Sequence, residues 1–499
     1  MQYQSTRNKK LSVSSAQAIK TGLSAEGGLF VPESIPSVSL TEIEAMVPMS
    51  YNERAYAILK KYLTDYTEEE LLNCINNAYT KEKFETANIA PVYKLNGSQY
   101  FLELWHGPTC AFKDMALQIL PHLLTTAMKK TDEKDEIIIL VATSGDTGKA
   151  ALEGFKDVSG TRIIVFYPSD GVSEIQKLQM VTQEGSNVGV AAVKGNFDDA
   201  QNGVKKIFTD ESYNSVLENN NFKLSSANSI NWGRLVPQIV YYFSAYADMV
   251  SGNEIKTGDK INVVVPTGNF GNILAAYYAK KMGLPIAKLI CASNSNNVLT
   301  DFINTGVYNK VREFHTTISP SMDILISSNL ERFLYDISDR DDTLISSLMK
   351  QLNEKGSYEV DSAMKSKISE LFYAGYCDDE QTRKAIKACR EEFGYVIDPH
   401  TAVAKVVHDE YISKTGDITK TVIASTASPF KFNQSVLIAL GGCEMVAGKD
   451  EFTLLDILSE KSGMSIPSSL AELKNKNRAF DLVCDKEQMQ QVVSDFLNI

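Results

Sequence analysis

A series of short apolar runs, each followed by a polar turn and then a helical stretch, sets what this chain can fold into. The runs cover residues 137–143, 162–167, 188–193, 261–265, 288–292 and 421–425. They lack the polar alternation of a half-solvated strand, so they read as strands covered on both faces. Such strands belong to parallel sheets crossed by helices, and the class is therefore α/β with two parallel sheets. At 499 residues the chain exceeds one simple core, and two or three domains are expected. We read 1–95 as a mostly helical N-terminal layer, 96–225 as a first α/β domain and 226–499 as a second. Within the layer, residues 40–72 have amphipathic helical spacing, with Thr41 and Thr67 as N-caps.

In sheets of this kind, ligands bind beyond the carboxyl ends of the strands. After the run at 137–143 comes Thr143-Ser144-Gly145-Asp146-Thr147-Gly148-Lys149 and a helix start. Hydroxyls and backbone N–H groups there suit a small anion such as a carboxylate. A P-loop is excluded, because Ala150 follows Lys149 where Ser or Thr is required. After 261–265 comes Pro266-Thr267-Gly268-Asn269-Phe270-Gly271-Asn272, a glycine-bracketed turn before a helix, which reads as a phosphate cradle. The dinucleotide fingerprint is absent from it. After 421–425 comes Thr426-Ala427-Ser428-Pro429-Phe430-Lys431-Phe432, where a strand-end hydroxyl could hydrogen-bond a ring nitrogen. The donor-rich stretch from Ser225 to Arg234 precedes an apolar helix and suits a second phosphate, with an ordinary helix N-cap the default on this segment alone.

One lysine stands out against this frame. His106-Gly107-Pro108-Thr109 reads as a turn and 112–124 as a helix with a buried face. Lys113 then sits in the first helical turn, where the macrodipole and poor solvation both disfavour an ammonium. A neutral amine is a nucleophile for carbonyl carbon. On this segment alone, a surface lysine paired with Asp114 stays open as the alternative.

The net charge of -12 argues against nucleic acid or an anionic membrane as partner, without excluding a locally positive pocket. No run approaches a membrane span, and the first residues carry no apolar signal region. The 7 cysteines are scattered with no C-x-x-C pair, so a reducing cytoplasm is the expected compartment and no metal site is read.

Taken together, the segments resemble the pyridoxal-phosphate enzymes of the tryptophan-synthase-like fold (fold type II). Among these the chain is similar to the threonine synthase family in its longer fungal and bacterial form. His106 to Asp114, Thr143 to Gly148, Ser226 to Arg234, Pro266 to Asn272 and Thr426 to Pro429 carry the likeness. Tyr3 to Arg7, Gly27 to Pro32 and Asp398 to Ala402 match as well. Two departures stand out: Asn8 where the family often has Gly, and Ser428 where many members have His.

The resemblance implies conversion of O-phospho-L-homoserine and water to L-threonine and phosphate, by γ-elimination and β-addition of water, as the last step of threonine biosynthesis. It implies pyridoxal 5'-phosphate carried on Lys113 in a site between the two α/β domains. Gly268, Asn269, Phe270, Gly271 and Asn272 would hold the cofactor phosphate, and Thr426 would face the ring nitrogen. Ser144, Gly145, Asp146 and Thr147 would clasp the substrate carboxylate. Ser226, Asn228, Asn231 and Arg234 would bind the substrate phosphate, with Lys149 or His106 assisting. The family's long form tends to be monomeric, which implies a monomer with a small-molecule substrate as its only partner. The rivals are a dehydratase or phospho-amino-acid lyase of the same fold, and a relative that has lost its chemistry. The stretch from about 300 to 395 reads either as the substrate entrance or as outer packing.

Overall fold

The computed structural model describes residues 1–143, 145–169 and 172–499. Every apolar run named above forms a strand. The larger sheet has six strands in the order Phe372–Tyr376, Ile286–Ser293, Ile261–Pro266, Thr421–Ser425, Gln99–Glu103 and Val92–Lys94. All its neighbours are parallel except the last pair. The smaller sheet has five parallel strands: Val483–Cys484, Val188–Val193, Thr161–Pro168, Glu136–Ala142 and Phe222–Ser225. Both sheets draw strands from distant parts of the chain. Gln99–Glu103 joins the larger sheet and Val483–Cys484 the smaller, so the sheets cross a division drawn along the sequence at 96 and 226.

The N-terminal layer opens with a small antiparallel sheet of Tyr3–Ser5, Asn8–Val13 and Phe30–Pro32. Three helices follow, Leu40–Met46, Tyr51–Tyr62 and Glu68–Ala78. Each is opened by a capping box, from Ser39, Ser50 and Thr67 to Glu42, Glu53 and Glu70. Thr67 is the cap the spacing predicts. Thr41 is not, because Ser39 has the Glu three positions on that completes the box.

Between the layer and the larger sheet runs the helix Trp232–Ser251, apolar on nearly every side and buried throughout most of its length. Trp232 is fully buried, with the rings of Tyr3, Tyr62 and Tyr278 edge-on at 5.4, 5.5 and 5.7 Å. These rings tie the layer to the helix that opens the site. Trp232→Ala is expected to lower stability by about 3–5 kcal/mol through the cavity it leaves. A urea midpoint equal to the parent's would show that the cluster is not what docks the layer.

Candidate active site

The predicted helix over 112–124 is in fact two. Asp114–Leu117 is a single turn, and Leu120–Lys130 starts afresh with Pro121 in its first turn. Proline has no N–H and its ring crowds the carbonyl four residues back, which favours a break there. Lys113 is the N-cap of the short turn rather than a first-turn residue of a long helix. So short a turn sums few peptide dipoles, and burial takes over the work given to the macrodipole.

Asp114 is not the partner of Lys113. Its carboxylate turns back to accept from the Thr109 N–H and hydroxyl, each at 2.8 Å. This closes the Gly-Pro-Thr turn and fixes where Lys113 leaves the chain. Burial pushes the Asp114 carboxyl up to about 6, against those two bonds. The Lys113 side chain is only 12 % exposed. Its amine donates to the Ser321 hydroxyl at 3.2 Å and stands 3.7 Å from Asp146. Burial brings it down to about 8, and Lys431 and Arg234 press the same way while Asp146 opposes them.

Asp146 sits at the start of the helix Asp146–Phe155. The Thr143 hydroxyl shapes the loop before it by accepting from the N–H groups of Gly145 and Gly148, at 3.0 and 2.9 Å. Gly145 has φ 141°, and a Cβ there would lie 2.6 Å from the Gln176 side chain. The Asp146 carboxylate is bound by Lys431 at 2.7 Å and by Gln176 at 2.8 Å. Burial raises its pKa, but Lys431 and Lys113 outweigh that and hold it well below the usual carboxylate range. Its side chain is therefore the counter-ion of two buried lysines, and its helix-start N–H is what remains for an anion. Ser144 lies outside the described residues.

The strand Ile261–Pro266 leads into the second loop. Phe270 caps the helix Gly271–Met282 with φ 62°, a left-handed conformation unusual for a bulky residue. Its ring is held 5.8 Å from both Phe333 and Phe372, and this packing sustains the strained turn. Gly268 packs so closely that a Cβ would lie 2.6 Å from the Ser321 carbonyl oxygen. The Asn272 side-chain oxygen Oδ1 accepts from the Tyr242 hydroxyl.

One cavity of about 510 Å³ gathers these parts. Lys113, Thr147, Asn228, Arg234, the whole loop from Gly268 to Asn272, and Thr426 line it. The carboxyl ends of strands from both sheets thus meet at one site. Thr426 is tied to the lysine turn, its carbonyl accepting from Phe112 N–H at 2.8 Å. Two buried donors among the lining residues, Asn272 Nδ2 and Arg234 Nε, have no acceptor among the described residues. Leaving such donors unpaired is costly, so they mark where an anion belongs. Burial brings the Arg234 guanidinium down to about 10.

Other sequence candidates have different duties. Asn231 caps the helix Trp232–Ser251 by accepting from Gly233 N–H at 2.8 Å, and its amide donates to the carbonyls of Ile19 and Ser226. The Ser226 hydroxyl accepts from Asn228 N–H at 3.1 Å. Lys149 pairs with Glu153 at 3.0 Å and His106 with Glu103 at 2.7 Å, neither as part of the cavity lining. Ser428 is buried and caps the turn Pro429–Phe432, with its own N–H on the Cys110 carbonyl at 3.0 Å.

Sequence reasoning missed Ser321, Lys431 and His400. Ser321 and His400 line the cavity, and Lys431 is linked to Lys113 through Asp146. The uninformative stretch from 300 to 395 enters the site through residues 310–328. No periodicity marks those positions. The match at Asp398 to Ala402 was the one available signal.

The comparisons with known proteins follow the same lines. A family model described as "Threonine synthase N terminus" matches residues 2–79, and one described as "Pyridoxal-phosphate dependent enzyme" matches 85–422. A threonine synthase from Pseudomonas aeruginosa is 36% identical over 437 residues, 87% of this chain and 90% of that protein. The chain belongs to the threonine synthase family. The crystal structure of a PLP-bound threonine synthase from Brucella melitensis superimposes with a TM-score of 0.87 at 34% identity, covering 99% of each chain. Human threonine synthase-like 1 is 43% identical over 435 residues, 85% of this chain. The chain spans 58% of that relative's length.

Proposed function

We propose that this threonine synthase family member converts O-phospho-L-homoserine and water to L-threonine and phosphate with pyridoxal phosphate as cofactor. One observation carries the reading: the Lys113 amine, the helix start at 268–272 and two unpartnered buried donors share one cavity. These residues fit the cofactor. Lys113 would hold its aldehyde carbon, the loop from Gly268 to Asn272 its phosphate, and Thr426 its ring nitrogen. When bound, the group supplies an electron-withdrawing ring that stabilises negative charge on substrate carbons beside the amine.

The chain's own residues supply the rest. Lys113 Nζ takes the proton at the substrate's α-carbon and returns protons farther along the substrate. Asp146 and the Ser321 hydroxyl hold that amine in place. The N–H groups at 145–147 and the Thr147 hydroxyl bind the substrate carboxylate, together with Ser144. Asn228 and Arg234 bind the substrate phosphate and its charge as it leaves. We read the protein as a monomer of the cytoplasm. Among the described residues no helix is long and apolar enough to cross a membrane.

Because Lys113 titrates at about 8, uptake of pyridoxal phosphate by the cofactor-free chain is expected to rise with pH. The rate should grow about tenfold per unit below that midpoint and level off above it, since only the neutral amine attacks. A flat profile would contradict Lys113 as the attachment point. The substrate reading is tested by offering the loaded chain O-phospho-L-homoserine, L-serine and L-threonine in parallel. Turnover of the first alone supports it; 2-oxo acid formed from the other two makes the protein a dehydratase.

A further inference from the structure

His400 has no part in the mechanism above, yet it is buried at the floor of the cavity. Its Nδ1 lies 2.6 Å from Asp398 Oδ2, and its Nε2 accepts from the Ser321 N–H at 3.2 Å. An imidazole nitrogen that accepts carries no proton, so the proton is on Nδ1 and donates to Asp398. Asp398 is fully buried and further fixed by the N–H of His400 at 2.8 Å and by the N–H and hydroxyl of Thr401. This orients His400 rigidly. At the other end, Ser321 lies in the turn Pro320–Met322, which has no side-chain cap of its own. Its hydroxyl accepts from Lys113 at 3.2 Å and donates to Asp146 at 3.3 Å.

We propose that Asp398 and His400 form a positioning pair that holds the Pro320–Met322 turn in register, so that the Ser321 hydroxyl stays between the Lys113 amine and the Asp146 carboxylate. The inference rests on Lys113 being the reactive amine, not on the identity of the substrate. His400 reaches the chemistry only through Ser321 and is not a catalytic residue. Without its acceptor nitrogen, the part-buried Ser321 N–H loses its partner, and the turn moves to satisfy it. The hydroxyl then leaves Lys113. Losing an acceptor disfavours the ammonium, which already faces Lys431 and Arg234.

The test reads Lys113 itself. In the full-length, cofactor-free chain, acylation of Lys113 by an amine-selective reagent is followed against pH by peptide mass spectrometry. Ser321→Ala is expected to lower the labelling midpoint by about one pH unit, the size of one hydrogen bond to a charged group. His400→Ala should match it, and the double variant should shift no further than either single one. His400→Gln keeps a side-chain acceptor for the Ser321 N–H and should retain the parent midpoint. In the loaded enzyme, Ser321→Ala and His400→Ala should lower kcat about tenfold with KM little changed, as for loss of a group that aligns the base.

A parent midpoint in His400→Ala, or shifts that add in the double variant, would overturn the proposal and leave His400 a packing residue against Phe432. Should His400→Ala not fold, Ser321→Ala and His400→Gln decide, and an unshifted Ser321→Ala rejects the proposal. The labelling needs no substrate, so a chain inactive on O-phospho-L-homoserine would still give a clear answer here.

Discussion

Lys113→Ala is expected to leave a folded chain that forms no threonine from O-phospho-L-homoserine. The loss should exceed about a thousandfold, because the change removes the residue proposed both as the cofactor's attachment and as the proton-transfer group. Stability should change little. Among the described residues the amine's polar partners are Ser321 and Asp146, and Asp146 keeps Lys431 at 2.7 Å and Gln176 at 2.8 Å. Its carboxylate is therefore not stranded, and burial already opposes the Lys113 ammonium, bringing it down to about 8, so removing it also relieves a desolvated charge. Thermal unfolding beside a threonine assay separates the two effects. A variant that turns over at even a few per cent of the parent rate would show that another group carries the chemistry.

Arg234→Ala has the second large effect, and it is selective. The guanidinium is buried, donates to the Ala227 carbonyl through Nη1 and leaves Nε without an acceptor. A charge-assisted bond to a phosphate is worth roughly 1.5–3 kcal/mol, so KM for O-phospho-L-homoserine should rise about 10- to 100-fold. Affinity for pyridoxal phosphate should change far less, since the site proposed for that phosphate is the 268–272 loop at a different helix start. The Lys113 midpoint should also move up, because Arg234 is one of the cations holding it down. Equal loss of substrate and cofactor would place both phosphates on Arg234 and end the two-site assignment.

The same residues show what the sequence makes legible. Parallel strands buried on both faces announce themselves as unbroken apolar runs, and each such run is a strand. The loops after them hold chemistry because strand ends are where such sheets bind ligands, and Lys113, the 268–272 loop and Thr426 do share a cavity. What stayed hidden is what depends on long-range meeting. Ser321 and Lys431 are single polar residues in short turns and His400 stands in the first turn of the helix Pro399–Thr415, each separated from Lys113 by hundreds of positions. Nothing local ties them to it. Asp146 was legible as a loop residue, but its side-chain duty was not, because its partner Lys431 lies in another sheet's loop. The break before Leu120 was legible in Pro121, and the apolar spacing outweighed it.

The central claim is tested most directly by product analysis. The cofactor-loaded chain is incubated with O-phospho-L-homoserine, and phosphate and L-threonine are quantified in the same sample. The account predicts equal amounts of the two. Phosphate accompanied by 2-oxobutyrate in place of threonine would contradict it and make the protein a lyase that stops before water adds.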